Sequence, residues 1–131
     1  MKYAGAFSVP RSKNENIVEE INQKSNADKF IIVCCNTNST KNARDIATQL
    51  VKLKLAAAVQ ATSVESTYLW ESRIRRNEEL LLQIKTTMNA YEKVEKVLKS
   101  MHPYEIPSIW IIPIIGGSED YLKWMSESIA K

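Results

Sequence analysis

The sequence predicts an α+β domain: a βαββαβ sandwich with both helices on one face of a sheet, and a further helix closing the chain. Three observations carry that prediction. Phe30-Ile31-Ile32-Val33-Cys34-Cys35 is a nearly continuous apolar run of the kind that forms a covered strand. Two segments, 41–55 and 89–101, repeat apolar residues at helical spacing. Between them, two extended stretches are joined by a short charged link, which reads as an antiparallel hairpin. With 131 residues, 44% apolar composition and only 3 Gly and 4 Pro, the chain is sized for one domain and is neither disordered nor fibrous.

Taken in order, residues 1–28 form a polar arm rich in Asn, Lys, Glu and Ser. Ile17, Val18 and Ile21 give it one short helical face with little to bury, and the domain proper runs over 29–131. The first strand is expected at 29–36, and Asn36-Thr37-Asn38-Ser39 supplies turn and N-cap chemistry. The helix at 41–55 places Ala43, Ile46, Ala47, Leu50, Val51 and Lys54 on one side. A long strand at 57–74 carries Val64, Thr67, Tyr68 and Trp70, and the charged segment 72–79, with Asn77, is read as the turn. The return strand, 79–87, puts Leu80, Leu82 and Ile84 on one face and Leu81, Gln83 and Lys85 on the other. This hairpin is long enough to project beyond a small sheet.

Asn89 with Glu92 three residues on suggests a capping-box start for the second helix. Tyr91, Val94, Val97, Leu98 and Met101 form its apolar stripe, and His102-Pro103 ends it, since proline pushes the preceding residue out of helical geometry. The last strand is expected at 106–115, with Pro107 and Pro113 at its ends, an edge or a bulge. Ser118 caps a closing helix carrying Tyr121, Leu122, Met125 and Ile129. Two βα units around a central hairpin give the ferredoxin-like sandwich.

The charge excludes little. The net charge of +3 comes from 18 basic residues interspersed with 15 acids. The tightest basic cluster, Arg73, Arg75 and Arg76, runs straight into Glu78 and Glu79 and reads as a solvated hairpin tip rather than a phosphate site. The adjacent Cys34 and Cys35 point to opposite faces of a strand, so they are expected as free thiols in a reducing compartment. The first ten residues do not make a secretory signal, and no run of apolar residues is long enough to span a membrane. The expectation is a soluble, cytoplasmic protein.

Several stretches then stand together: Ala43-Arg44-Asp45-Ile46-Ala47, Leu53-Lys54-Leu55-Ala56-Ala57, Thr67-Tyr68-Leu69-Trp70-Glu71 and Ile84-Lys85-Thr86-Thr87. His102-Pro103-Tyr104-Glu105-Ile106-Pro107 and Tyr121-Leu122-Lys123-Trp124 follow in register. In this order and spacing, from Lys29 to about Ser126, the chain resembles the CutA divalent-cation tolerance family. The resemblance implies a ferredoxin-like subunit in a homotrimer, similar in architecture to the PII signalling proteins. It also implies a link to divalent-metal tolerance and copper binding, with no established catalytic activity. The chain departs from the family at Ala58, where a cysteine is frequent, and at Ser72, where a glycine is frequent. A homotrimer suits the residues, because Tyr68, Trp70 and Trp110 on a lone sheet would leave apolar area and strand edges open.

The metal candidates are Cys35 and His102, which match the family's strand cysteine and the histidine of its HPY motif, with Glu105 beside them. Thiolate and imidazole suit copper or another divalent cation. Cys34 is a further donor by type. The plainer reading is that a free cysteine packs as a small hydrophobe and that His102 ends a helix. Tyr68, Trp70, Glu71, Lys85, Tyr104, Tyr121 and Trp124 form a second set, which suits a ligand pocket but suits interface packing better.

Other classes fit less well. The strand 79–87 lacks the aromatic residues with which RNA-recognition sheets stack bases, no CxxC serves a metallochaperone, and a single His without paired carboxylates argues against an enzyme. No organic cofactor, nucleic acid or membrane partner is expected. The alternative is a PII-like sensor of an anionic metabolite, using Arg73, Arg75, Arg76 and Lys85, or a trimeric scaffold. Gly116-Gly117, standing alone after a strand, provides no phosphate loop for it.

Overall fold

The computed structural model describes residues 30–131; the polar arm assigned to 1–28 lies outside them. Strand β1, Phe30–Thr37, sends Ile31, Val33, Cys35 and Thr37 to the helix-covered side. Ser39 starts α1, Thr40–Lys52, its hydroxyl accepting from the Asn42 N–H at 3.1 Å. Ala43, Ile46 and Leu50 are the buried stripe of α1.

The sequence extends α1 to 55, but the helix stops at Lys52. Lys54 takes a left-handed φ of 57°, its N–H donates to Val51 O, and the Leu55 N–H reaches back to Leu50 O. That pair of bonds is a Schellman stop, normally built on glycine.

β2, Ala58–Trp70, and β3, Arg73–Thr87, pair along their whole length from Ala58↔Lys85 to Trp70↔Arg73. The expected turn at 72–79 is therefore a correction. Only Glu71 and Ser72 turn, with φ of 51° and 62°, and Asn77 sits inside the ladder opposite Ser66. Two positive-φ residues make the tight connection whose twist matches that of paired strands. Neither Glu nor Ser advertises that conformation, which is why the charge run was the louder signal.

α2, Met88–Met101, buries Ala90, Val94 and Leu98. Its N-cap is Thr87, without a side-chain capping bond, so the capping-box start expected at Asn89 is a correction: Asn89 lies inside the first turn. His102 leaves the helix with extended φ and ψ of −83° and 136°, as expected before Pro103. β4 is shorter than its expected 106–115: Ile109–Pro113 pairs with β1 from Cys35↔Ile109 to Ile31↔Pro113. Ser118 caps α3, Glu119–Ser128, by accepting from the Tyr121 N–H at 3.3 Å.

The sheet order is β2-β3-β1-β4, with every pair antiparallel: the ferredoxin-like arrangement. Val33, Ile46, Leu50, Leu82, Ile84, Val94 and Leu98 are fully buried between sheet and helices. Burying each such side chain contributes on the order of 2 kcal/mol before conformational entropy is subtracted. α3 instead meets β3 through Lys85, whose Nζ donates to Tyr121 Oη at 3.0 Å. Alternation along β3 places Lys85 on the face opposite Ile84, so this second face is only partly covered.

Candidate functional site

Past Val64 the hairpin outruns the helices, and its open face becomes one wall of a cleft of about 640 Å³. Tyr68 and Trp70 come from β2, and Arg75, Asn77 and Glu79 stand at alternate positions of β3. The segment between α2 and β4 brings Tyr104, Glu105 and Ser108 over it, and Asn36 at the end of β1 closes the inner side.

That segment is tied down by His102. The Tyr104 N–H donates to Nδ1 at 3.1 Å, and Nε2 lies 2.6 Å from Asn36 O. Since an N–H must find an acceptor, Nδ1 is unprotonated and the ring proton sits on Nε2, donated to the carbonyl. The Asn36 N–H donates to Ser108 Oγ at 3.3 Å, a second tie across the same gap. His102 and Tyr104 meet edge to face, ring centroids 4.8 Å apart.

Tyr104 in turn holds Glu79. Its hydroxyl donates to Glu79 Oε2 at 2.6 Å, and Glu79 is only 8% exposed. Burial first, and then this bond to a carboxylate, push the Tyr104 phenol pKa well above the usual tyrosine range. Arg75 lies four residues away on the same face and, among the described residues, forms no ion pair.

The proposed metal donors come partly together. The Cys35 thiol, fully buried, donates to the same Asn36 O that His102 contacts, at 3.7 Å. Burial is the main cause that pushes its pKa up to about 12, with Cys34 and the Glu79 charge adding to it. Glu105 lies exposed on the cleft wall. Among the described residues, no three His, Cys, Asp or Glu side chains gather closely enough to hold a metal ion. Cys34, also buried, points to the other face of β1.

The expected pocket set divides in two. Tyr68, Trp70 and Tyr104 share the cleft, and Glu71 joins them by accepting from Trp70 Nε1 at 2.9 Å. Lys85, Tyr121 and Trp124 form a separate group six residues farther along β3, about 20 Å away. There the Lys85 ammonium sits 5.3 Å from the Tyr121 ring centre, and the Tyr121 and Trp124 rings are 5.6 Å apart. Asn36, Asn77 and Glu79 were missed as cleft residues, and Arg75, named only for the anionic-metabolite alternative, was not placed beside them. The usable signal was the alternation of Arg75, Asn77 and Glu79, hidden because their segment read as a turn.

Known proteins share this fold. The family profile described as CutA1 divalent ion tolerance protein matches residues 31–128. The divalent-cation tolerance protein CutA of Thermus thermophilus is 38% identical over 98 residues, 74% of this chain and 95% of its own. Its Escherichia coli counterpart is 31% identical over 110 residues, 83% of this chain and 98% of its own. Among solved structures, CutA1 from Shewanella superposes with a TM-score of 0.76 at 36% identity, covering 79% of this chain and 97% of that one. CutA1 from Oryza sativa superposes with a TM-score of 0.77 at 30% identity, covering 79% and 95%. Matched along nearly all of its described length in sequence and in fold, the chain belongs to the CutA1 divalent ion tolerance family.

Proposed function

We propose that this protein serves divalent-cation tolerance as a homotrimer that takes up copper, or a similar divalent cation, at Cys35 and His102, with Glu105 from the same segment. The names borne by its relatives support the metal role. The observation that carries the site is the meeting of Cys35 Sγ and His102 Nε2 on one carbonyl oxygen, Asn36 O. A thiol and an imidazole within reach of one atom are soft donors that suit copper.

Loading costs three hydrogen bonds, those of the Cys35 thiol and His102 Nε2 to Asn36 O and that of the Tyr104 N–H to Nδ1. The thiol must lose its proton, and the lone pair of Nε2 faces an ion only after the ring proton moves to Nδ1. Nδ1 now accepts from the Tyr104 N–H, so that contact must open. Metal uptake is therefore coupled to movement of the segment after α2, and it strengthens as pH rises because a proton is released.

Trimer formation is supported by the apolar side chains the hairpin leaves open, among them Trp70 at 43% exposed, and by the outer edges of β2 and β4. Closed cyclic assembly covers such edges without growing into a fibre. The reading includes no catalytic step and no organic cofactor, and buried free thiols support a reducing, cytoplasmic setting.

The test is light-scattering mass with copper titration on one sample, alongside Cys35→Ser and His102→Ala. A trimer that binds copper stoichiometrically and loses it in both variants is expected. Equal binding in the variants would remove the site, and a monomer would remove the assembly.

A further inference from the structure

The cleft between the outer hairpin and the segment after α2 contains chemistry that metal capture at Cys35 and His102 does not use. Glu79 is 92% buried there, being 8% exposed, and only its Oε2 is bonded, to Tyr104. Among the described residues, Oε1 has no protein donor. A carboxylate so enclosed and half satisfied favours a cation beside it. Of the cleft's rings, Tyr104 touches Glu79 and Tyr68 reaches Asn77 beside it, while Trp70, opposite Arg73, stands at the outer end; the two tyrosine faces attract organic cations. Arg75 lies on the same face of β3, its Cα about 13 Å from that of Glu79 by strand rise. The volume, about 640 Å³, is that of a small-molecule site.

We propose that this cleft binds a small organic ammonium compound of the extended amino-carboxylate type, its ammonium on Glu79 between the aromatic walls and its anionic end toward Arg75. The site needs no copper for its own contacts, though metal uptake that moves Tyr104 would disturb it, and the two groups sort ligands by charge at each end. Glu79 is held rigid by Tyr104 and supplies the affinity. Arg75, exposed and free to swing, supplies the preference for a ligand with an anionic tail.

Calorimetry in the presence of a chelator, with three six-carbon probes, tests this on the full chain. 6-Aminohexanoate carries both charges, hexylamine only the ammonium, and hexanoate only the anion. The expected order is 6-aminohexanoate first, hexylamine about tenfold weaker, and hexanoate weakest. Glu79→Gln should weaken hexylamine by about 10- to 100-fold, the worth of a hydrogen-bonded charge. Arg75→Met should abolish the advantage of 6-aminohexanoate and leave hexylamine unchanged. Hexanoate binding as tightly as hexylamine, or no probe saturating below about 10 mM, would overturn the proposal. So would unchanged hexylamine binding in Glu79→Gln. If that variant fails to fold, the three probes on the unaltered protein decide the matter.

Discussion

The β2–β3 hairpin divides near Val64 and Glu79 into two halves with one unbroken register. In the inner half, Leu82 and Ile84 are fully buried beneath α1 and α2. In the outer half, Leu69 and Ile74 face each other across the strands, yet remain 69% and 68% exposed. Both halves have the same backbone ladder, so hydrogen-bonded pairing does not distinguish them. A two-stranded ribbon alone is marginal in water. The inner half is anchored by the core, whereas the outer half gains its packing from whatever lies against it. The same outer half forms the cleft, which places the candidate ligand groups on the least anchored part of the sheet.

The largest test of this contrast is truncation. Ile84→Ala should cost about 3 kcal/mol in urea unfolding, from lost burial and a cavity, while Ile74→Ala should cost under about 0.5 kcal/mol. A large cost at Ile74 that grows with protein concentration would instead show the outer half buried in the assembly.

Alkali should act on the inner half. The folded Cys35 thiol titrates at about 12 against an ordinary 9.0, so the native state holds its proton longer than the unfolded chain. The stability this gives is intact below pH 9 and is lost as pH climbs toward 12. About 2 kcal/mol should have gone by about pH 10.5. Comparing urea midpoints of the protein and Cys35→Ala at about pH 8 and pH 10.5 checks this, because the variant lacks that part of the loss.

Two smaller changes set equivalent strains side by side. Lys54→Gly relieves a left-handed residue at the inner end and should raise global stability by about 1 kcal/mol. Ser72→Gly relieves the same strain at the tip. There the gain should be a few tenths of a kcal/mol globally, and should appear mainly as slower hydrogen exchange near Trp70 and Arg73. Equal global gains would mean that the tip unfolds together with the core.

Much of the fold was legible because the relevant signals are local. The period of Ala43, Ile46 and Leu50, the caps at Ser39 and Ser118 and the break at His102-Pro103 all act within a few residues. The tight turn was not legible, since Glu71 and Ser72 adopt positive φ under the demand of strand twist rather than by preference. Misplacing that turn also concealed Arg75, Asn77 and Glu79 as one face of a strand. β4 came out short: its pairing runs only from Cys35↔Ile109 to Ile31↔Pro113, and Pro107 and Pro113 bring no backbone donor to its two ends.

By itself, the sequence determined the order of elements, the faces they bury, and a family signature dense enough to name. Tertiary structure alone decided which of the candidate residues meet. Tyr104 meets Glu79 across 25 residues of chain, and His102 meets Asn36 across 66. Contacts of that span leave no period or spacing in the chain, because they arise only when the sheet order sets β1 beside β3 and α2 delivers its last residue to their edge.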